Sequence, residues 1–281
     1  MAVFHATRYA TLGSCRRSFA YDLAMIPISD ENPTIRTPVV TYALLAVTVA
    51  MWVLFQGAGL DAYRLAVSVC DYGLVPAELT HGRPIGFAVP IGLGLACTID
   101  NNQINVFTPL ISMFLHASWG HLLGNAVYFW VFGNNVEDSM GRFRFLVFYI
   151  VCGLAAAGTH VLVDPTSPVP TVGASGAISG ILGAYLVLYP RVRVKYFFFF
   201  IIFFKFIPLP AWVALLWWFG MQLLTALPQL NPVSPEISGG VAVWAHVGGF
   251  ITGAVLIKLF ENKDLVTRRT LVSDARGVWA P

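Results

Sequence analysis

An all-α polytopic membrane protein, built as a bundle of six transmembrane helices with both termini in the cytoplasm, is the fold this sequence predicts. Three observations carry that expectation. Hydrophobic residues make up 57% of the 281-residue chain and charged residues only 11%, whereas soluble domains run at about 45–50% apolar and about 25% charged. Six apolar runs have the length, about 17–25 residues, that a helix needs to cross a bilayer. The basic residues fall almost entirely on one side of those runs. The shortage of charge excludes a disordered chain, a nucleic-acid binder and a conventional soluble enzyme. A net charge of +3 is too small to argue for an acidic partner.

Taken in order, residues 1–37 read as a cytoplasmic N-terminal tail. Arg16 and Arg17 precede a short, interrupted apolar stretch rather than the continuous core of a signal peptide. The change in texture near Met25 suggests a natural start there. The membrane domain, 38–260, begins with a span at Pro38–Phe55, followed by a long first external loop at about 56–119. The remaining spans are placed at Gly120–Val136, Phe145–Val163, Val172–Tyr189, Ile207–Leu227 and Val241–Phe260, and residues 261–281 form a cytoplasmic C-terminal tail. Two further apolar segments are not counted. Ile85–Ile99 is short and broken by Pro90 and glycines, so it reads as an interfacial part of the first loop. Tyr196–Phe206 is aromatic but interrupted by Lys205 and followed by Pro208 and Pro210, so it reads as an interfacial or re-entrant lead-in to the fifth helix.

The charges decide between six spans and seven. With the N-terminus inside, 15 of the 17 Lys and Arg residues are cytoplasmic, and only Arg64 and Arg83 lie outside, both in the first loop. This is the distribution the positive-inside rule requires, and a further span near residue 90 would destroy it. The short tails favour a prokaryotic plasma membrane. Of the four cysteines, Cys152 lies in an apolar run and reads as packing. Cys70 and Cys97 share the first loop; two free thiols are the expected state, with pairing the alternative if the loop faces an oxidising space.

Polar side chains inside spans are costly and mark function by default. Three clusters stand out. His116, His121 and Asn125 open the second span; Gly173-Ala174-Ser175-Gly176 opens the fourth; Ala245-His246, with Gly249 and Gly253, lies in the sixth. His121 and Asn125 are four apart and share a helix face. By span direction, His121, Asn125, Ser175 and His246 all fall just inside the external interface. A serine, an imidazole and extra donors at one depth are the parts of nucleophilic acyl chemistry. Glycines at 176, 180 and 183, and at 249 and 253, allow two helices to pack backbone to backbone.

At these residues, over about positions 25–262, the sequence resembles the rhomboid family of intramembrane serine proteases. Gly133-Asn-Asn-Val-Glu137-Asp-Ser-Met-Gly141 and Tyr72-Gly73-Leu74-Val75-Pro76 are similar to further family elements. The resemblance implies a rhomboid-like bundle with Ser175 as nucleophile and His246 as general base. His121, Asn125 and the Ser175 N–H would form the oxyanion hole. His116 would anchor a loop, Gly173, Gly176, Gly249 and Gly253 would support packing, and Glu137 would fix the turn beside it. It implies no metal and no cofactor, transmembrane protein substrates entering beside the fifth helix, and no nucleic-acid partner. Where some members carry a Tyr stacked on the catalytic His, this chain has Ser179, so packing on Gly180 is the expected brace for His246. Some members have Trp-Arg where Phe107-Thr108 stands here. The alternatives are an inactive rhomboid-like binder of membrane helices, and a transporter using His246 and Glu137, which fall at opposite ends of the membrane.

Overall fold

A computed structural model describes residues 26–92, 95–200, 203–227 and 242–275. In chain order these form strand β1 (Ile26–Asp30), helices α1 (Val39–Ala50), α2 (Ala62–Tyr72) and α3 (Pro76–Thr80), and strands β2 (Ala88–Gly92) and β3 (Leu95–Thr98). Helices α4 (Thr108–Ile111), α5 (Trp119–Tyr128), α6 (Asn134–Met140), α7 (Arg142–Val163) and α8 (Ser175–Leu188) follow. Strands β4 (Arg193–Phe200) and β5 (Phe203–Pro210) lead to α9 (Ala211–Ala226), α10 (Val243–Phe260) and α11 (Lys263–Ala275). The suggested start at Met25 and the connection between α9 and α10 lie outside the described residues.

Among the described residues, two helices, α7 and α10, are long and apolar enough to cross a membrane by themselves. The continuous helix Trp119–Met140, which joins α5 to α6 through a π-helical turn at Phe129–Gly133, makes a third with the segment Gln103–Phe114, bent against it by 71°. Val39–Phe55, Ser175–Leu188 and Ala211–Ala226 are shorter apolar helices. Helix α8 is the centre of the bundle. Nearly every position from Gly176 to Leu188 is buried, the pattern of a helix surrounded by protein.

The all-α expectation is corrected by two small sheets. The interfacial or re-entrant lead-in expected at Tyr196–Phe206 is most of the β4–β5 hairpin, which leads into α9, and β1 pairs antiparallel with β4 to give the order β1-β4-β5. Aromatic and β-branched residues suit a pleated surface. The prolines that argue against a central strand are confined to the edges: Pro27 on β1, Pro208 and Pro210 on β5, where a missing N–H costs no ladder bond. They also explain why α9 starts at Ala211 and not at Ile207. The Ile85–Ile99 segment is likewise a hairpin, β2–β3, with a bulge at Pro90.

Residues 26–37 are part of the body and not a free tail. Asp30 Oδ2 accepts from Tyr185 Oη at 2.6 Å and from Asn135 Nδ2 at 2.5 Å. The C-terminal segment is equally embedded: Arg269 of α11 is 2% exposed, donates to Asn32, Asn135 and Tyr189, and pairs with Asp138 at 3.8 Å. Tyr185 lies ten residues after Ser175, about 15 Å along the helix, so this network sits at the opposite end of α8 from its serine.

The first loop is a structured wall. Asp61 caps α2 by accepting from Tyr63 and Arg64 N–H. Leu74 and Thr171 exchange main-chain bonds of 2.9 and 2.8 Å, tying the loop to the segment before Ser175. Cys70 and Cys97 are joined in a disulfide, which corrects the expectation of free thiols and links α2 to β3. Free Cys152 is buried, as its apolar run suggests.

Glu78 of α3 is buried near Asp71 and Asp100, and burial, with those two charges, pushes its carboxyl from 4.5 up to about 7. The folded state therefore binds a proton that the unfolded chain releases, so stability falls as pH rises from about 4.5 to 7 and levels off above that. Asp30, also pushed up to about 7 by burial, adds the same sign from the other end of the molecule. The melting temperature of the detergent-solubilised protein is expected to be higher at pH 5 than at pH 8. Glu78→Gln is expected to reduce that difference; an unchanged difference would show that the loop carboxyl is not its source.

Candidate active site

The first part of the site is the start of α5. Ser118 is the N-cap, its Oγ accepting from His121 N–H at 3.1 Å, a strong local start signal. One turn later Asn125 shares the His121 face. The second part is the start of α8. Gly173 has φ +128° and donates its N–H to Ser112 O at 2.9 Å. A Cβ on Gly173 would stand 2.6 Å from His121 Cε1 and 2.7 Å from Nε2, so both its backbone conformation and the closeness of the imidazole require glycine. Ser175 is the first residue of α8, and its N–H consequently has no intrahelical partner.

The third part is α10, which brings His246 to Ser175. Any Cβ on Gly249 would strike the carbonyl of Gly176, and any Cβ on Gly253 that of Gly180. The two helices cross with backbone against backbone, and one turn above that crossing His246 Nε2 lies 2.8 Å from Ser175 Oγ. Gly180 does not brace the imidazole: its own neighbours are Cys152 and the Gly249 carbonyl. The ring is held from α9, where Gln222 Oε1 lies 2.9 Å from His246 Nδ1 and the Trp218 ring lies 5.9 Å away at 36°.

His116 is fully buried. Gln56 holds its main chain both ways, Oε1 accepting from the N–H and Nε2 donating to the carbonyl, each at 2.8 Å. The His116 side chain is shut off from solvent, between Asn125 and His121. Its Nε2 lies 2.9 Å from Asn125 Nδ2 and accepts one of the two amide hydrogens, and its ring meets His121 at 5.0 Å. Glu137 is far from this cluster and does not act on its own turn. Its carboxylate accepts from Val40 N–H at 3.0 Å, Thr41 N–H at 2.7 Å and Thr41 Oγ1 at 2.8 Å, capping α1, whose Pro38 offers no side-chain cap.

A cavity of about 930 Å³ opens over Ser175 and His121, walled by Leu65 and Val69 of α2, the β2–β3 hairpin and Met113. It is mainly apolar with a few convergent polar groups, the usual character of a binding site. Among the described residues no cluster of His, Cys, Asp or Glu is arranged to hold a metal ion. Sequence reading missed Gln222, Trp218 and Gln56. Gln222 carried a usable signal, being an amide inside an apolar span, of the same kind that singled out Asn125. Trp218 carried none, because an aromatic in that helix reads equally well as a lipid anchor.

The family model described as "Rhomboid domain" matches residues 103–262. Among curated proteins, the chain is 30% identical over 159 residues to Rhomboid protease AarA of Providencia stuartii, covering 52% of this chain and 53% of that one. It is 27% identical over 175 residues to the mitochondrial Rhomboid protein 1 of Saccharomyces cerevisiae, covering 60% and 45%. It is 38% identical over 81 residues to Rhomboid protease GluP of Bacillus subtilis, covering 29% and 15%. In each case less than two thirds of the relative's length is spanned. Bacterial and mitochondrial proteins both appear, so the matches imply a membrane without choosing between a bacterial and an organellar one.

The crossing makes a test with two signs. Gly253→Val drives a side chain into the Gly180 backbone, which has nowhere to go, and overpacking of this kind costs about 1–3 kcal/mol or more. Gly158 of α7 has open space where its Cβ would stand, so Gly158→Ala is expected to be neutral or stabilising by up to about 1 kcal/mol. Thermal unfolding in detergent distinguishes the two.

Proposed function

The chain belongs to the rhomboid family, whose members are membrane-embedded, and from that premise we propose that it is a serine endopeptidase cutting membrane proteins in or near their transmembrane segments. The observation that carries this reading is the 2.8 Å contact between His246 Nε2 and Ser175 Oγ at the floor of a cavity beside His121. Ser175 Oγ attacks the scissile carbonyl carbon while its proton passes to Nε2. The carbonyl oxygen becomes an oxyanion, and the Ser175 N–H, His121 and Asn125 are the donors that face it. Collapse of the tetrahedral species breaks the peptide C–N bond, and His246 gives its proton to the leaving amine. Water, activated by the same imidazole, then releases the acyl group.

The same proposal includes the topology. Six spans with both termini cytoplasmic follow from the distribution of basic residues, and the Cys70–Cys97 disulfide supports a first loop on the oxidising external side. The active centre then lies near the external interface, where water is available. A substrate helix has to unwind locally before its carbonyl is accessible, so helix-weakening residues are expected near the cut. Substrates are transmembrane proteins, and no cofactor is required.

Purified protein is expected to label with a serine-directed fluorophosphonate and to cleave a model transmembrane substrate in vesicles. Ser175→Ala is expected to abolish both, and cleavage that survives it would sink the assignment. Binding of the substrate with no labelling or cleavage by the wild type would point instead to an inactive helix-binding protein. Asn125→Ala is expected to lower kcat by about 100- to 1,000-fold, the usual loss for one oxyanion donor, with a much smaller change in KM.

A further inference from the structure

We propose that Gln222 is a positioning residue for His246, so that the reacting pair is backed by a neutral amide; this rests on the protease reading above. The argument begins with the imidazole. For Nε2 to accept the Ser175 proton it must be unprotonated, and the hydrogen of the neutral ring then sits on Nδ1. A buried N–H needs an acceptor, because leaving it unmet costs about 1–3 kcal/mol. His246 is 7% exposed, and the acceptor facing Nδ1 is Gln222 Oε1 at 2.9 Å. That bond selects the tautomer in which Nε2 is free to take a proton, and it fixes the ring plane toward Ser175.

An amide performs this task at low cost in an apolar setting. A carboxylate there would carry a desolvation penalty of several kcal/mol that has to be recovered from its partner. An amide presents an equally directed oxygen with no charge to desolvate. The second support comes from the same helix face: Trp218 is one turn before Gln222 and lies beside the ring. Helix α8 does not supply it. Ser179, one turn after the nucleophile, donates its hydroxyl back to Ser175 O at 2.6 Å and so is not aimed at the imidazole. His246 is thus held on one side by the hydroxyl it activates and on the other by two side chains of α9. Helix α9 is itself seated on α10 by the stacked rings of Phe219 and Phe250, 4.5 Å apart. The pair is complete only while α9 is so seated.

The test uses the full chain in proteoliposomes with a model transmembrane substrate. Gln222→Met removes the acceptor at nearly constant volume in an unbranched helix former. It is expected to lower kcat by about 10- to 100-fold, the scale of a mis-aimed reacting group, with KM within about twofold and a melting temperature lowered by no more than the equivalent of about 1–3 kcal/mol, the cost of one unmet buried N–H. Gln222→Glu restores an acceptor oxygen at the same reach and is expected to recover most of the lost kcat, its desolvation penalty being read as a lower melting temperature and not as lost turnover. Wild-type kcat in Gln222→Met overturns the inference. So does a loss confined to KM or to melting temperature, or a failure of Gln222→Glu to recover activity while remaining folded. Wild-type protein without Ser175-dependent turnover overturns the protease reading, and this inference with it. Normal wild-type turnover beside an unimpaired Gln222→Met overturns the inference alone.

Discussion

With no Cβ on Gly249 or Gly253, α10 lies against the carbonyls of Gly176 and Gly180, and the rest of the site takes its geometry from that crossing. In a bilayer, apolar burial gives two helices no reason to associate, since lipid is as apolar as leucine. Association comes from close van der Waals contact and hydrogen bonding, which small residues permit. Ser175 precedes Gly176 by one residue and His246 precedes Gly249 by three. Once the glycines are in register, the serine and the imidazole have no other place to be. Gly183, against the Phe250 carbonyl, extends the same contact down the helix, so the register is fixed over two turns and not at one point.

The opposite end of the bundle holds the same helices by different means. There Asp30 joins Tyr185 of α8 to Asn135 of α6, and Arg269 adds Asn32, Tyr189 and Asp138 to the network. Tyr185 belongs to the helix that starts with Ser175, and Asn135 to the continuous helix that carries His121 and Asn125. The polar network therefore fixes at one end the two helices whose other ends meet at the candidate site. Buried charges of this kind add little net stability, yet removing one partner leaves the others unpaired at a cost of about 3–5 kcal/mol. Such a network specifies one arrangement more than it strengthens it. Glu137 acts in the same way on α1.

The residues that sequence alone made visible were polar groups in apolar surroundings and glycines at helical spacing. Ser175, His246, His121 and Asn125 stood out because each is costly where it stands in a bilayer, and the structure brings Ser175 and His246 into contact. The aromatic run before α9 was placed at the interface but not as a hairpin, because hydropathy alone does not tell a strand pair from an irregular lead-in. The deciding fact was that Pro208 and Pro210 lie on an edge strand, and an edge exists only once the neighbours are known. The Cys70–Cys97 bond and the partner of Glu137 were hidden for the same reason, since each joins segments whose approach is set by tertiary structure. Gln222 is a different case. The rule that identified Asn125 applies to it equally, and only the direction of its side chain was missing.

The candidate site is supported on two sides with unequal strength. Its loop wall is fastened by the Cys70–Cys97 disulfide, by paired main-chain bonds between Leu74 and Thr171, and by Gln56 across the His116 backbone. Opening that wall would leave buried main-chain groups unpaired. On the other side, α9 meets the site through rings, Trp218 and Phe219 against Phe250, and through the Gln222–His246 bond. Ring contacts are replaced by lipid contacts without stranding a polar group, so the main-chain bonds of the loop wall cost more to open than the ring contacts of α9. The polar group that such a displacement would strand is His246 Nδ1, on the residue that takes the serine proton. The support that is cheaper to move is thus coupled directly to the chemistry.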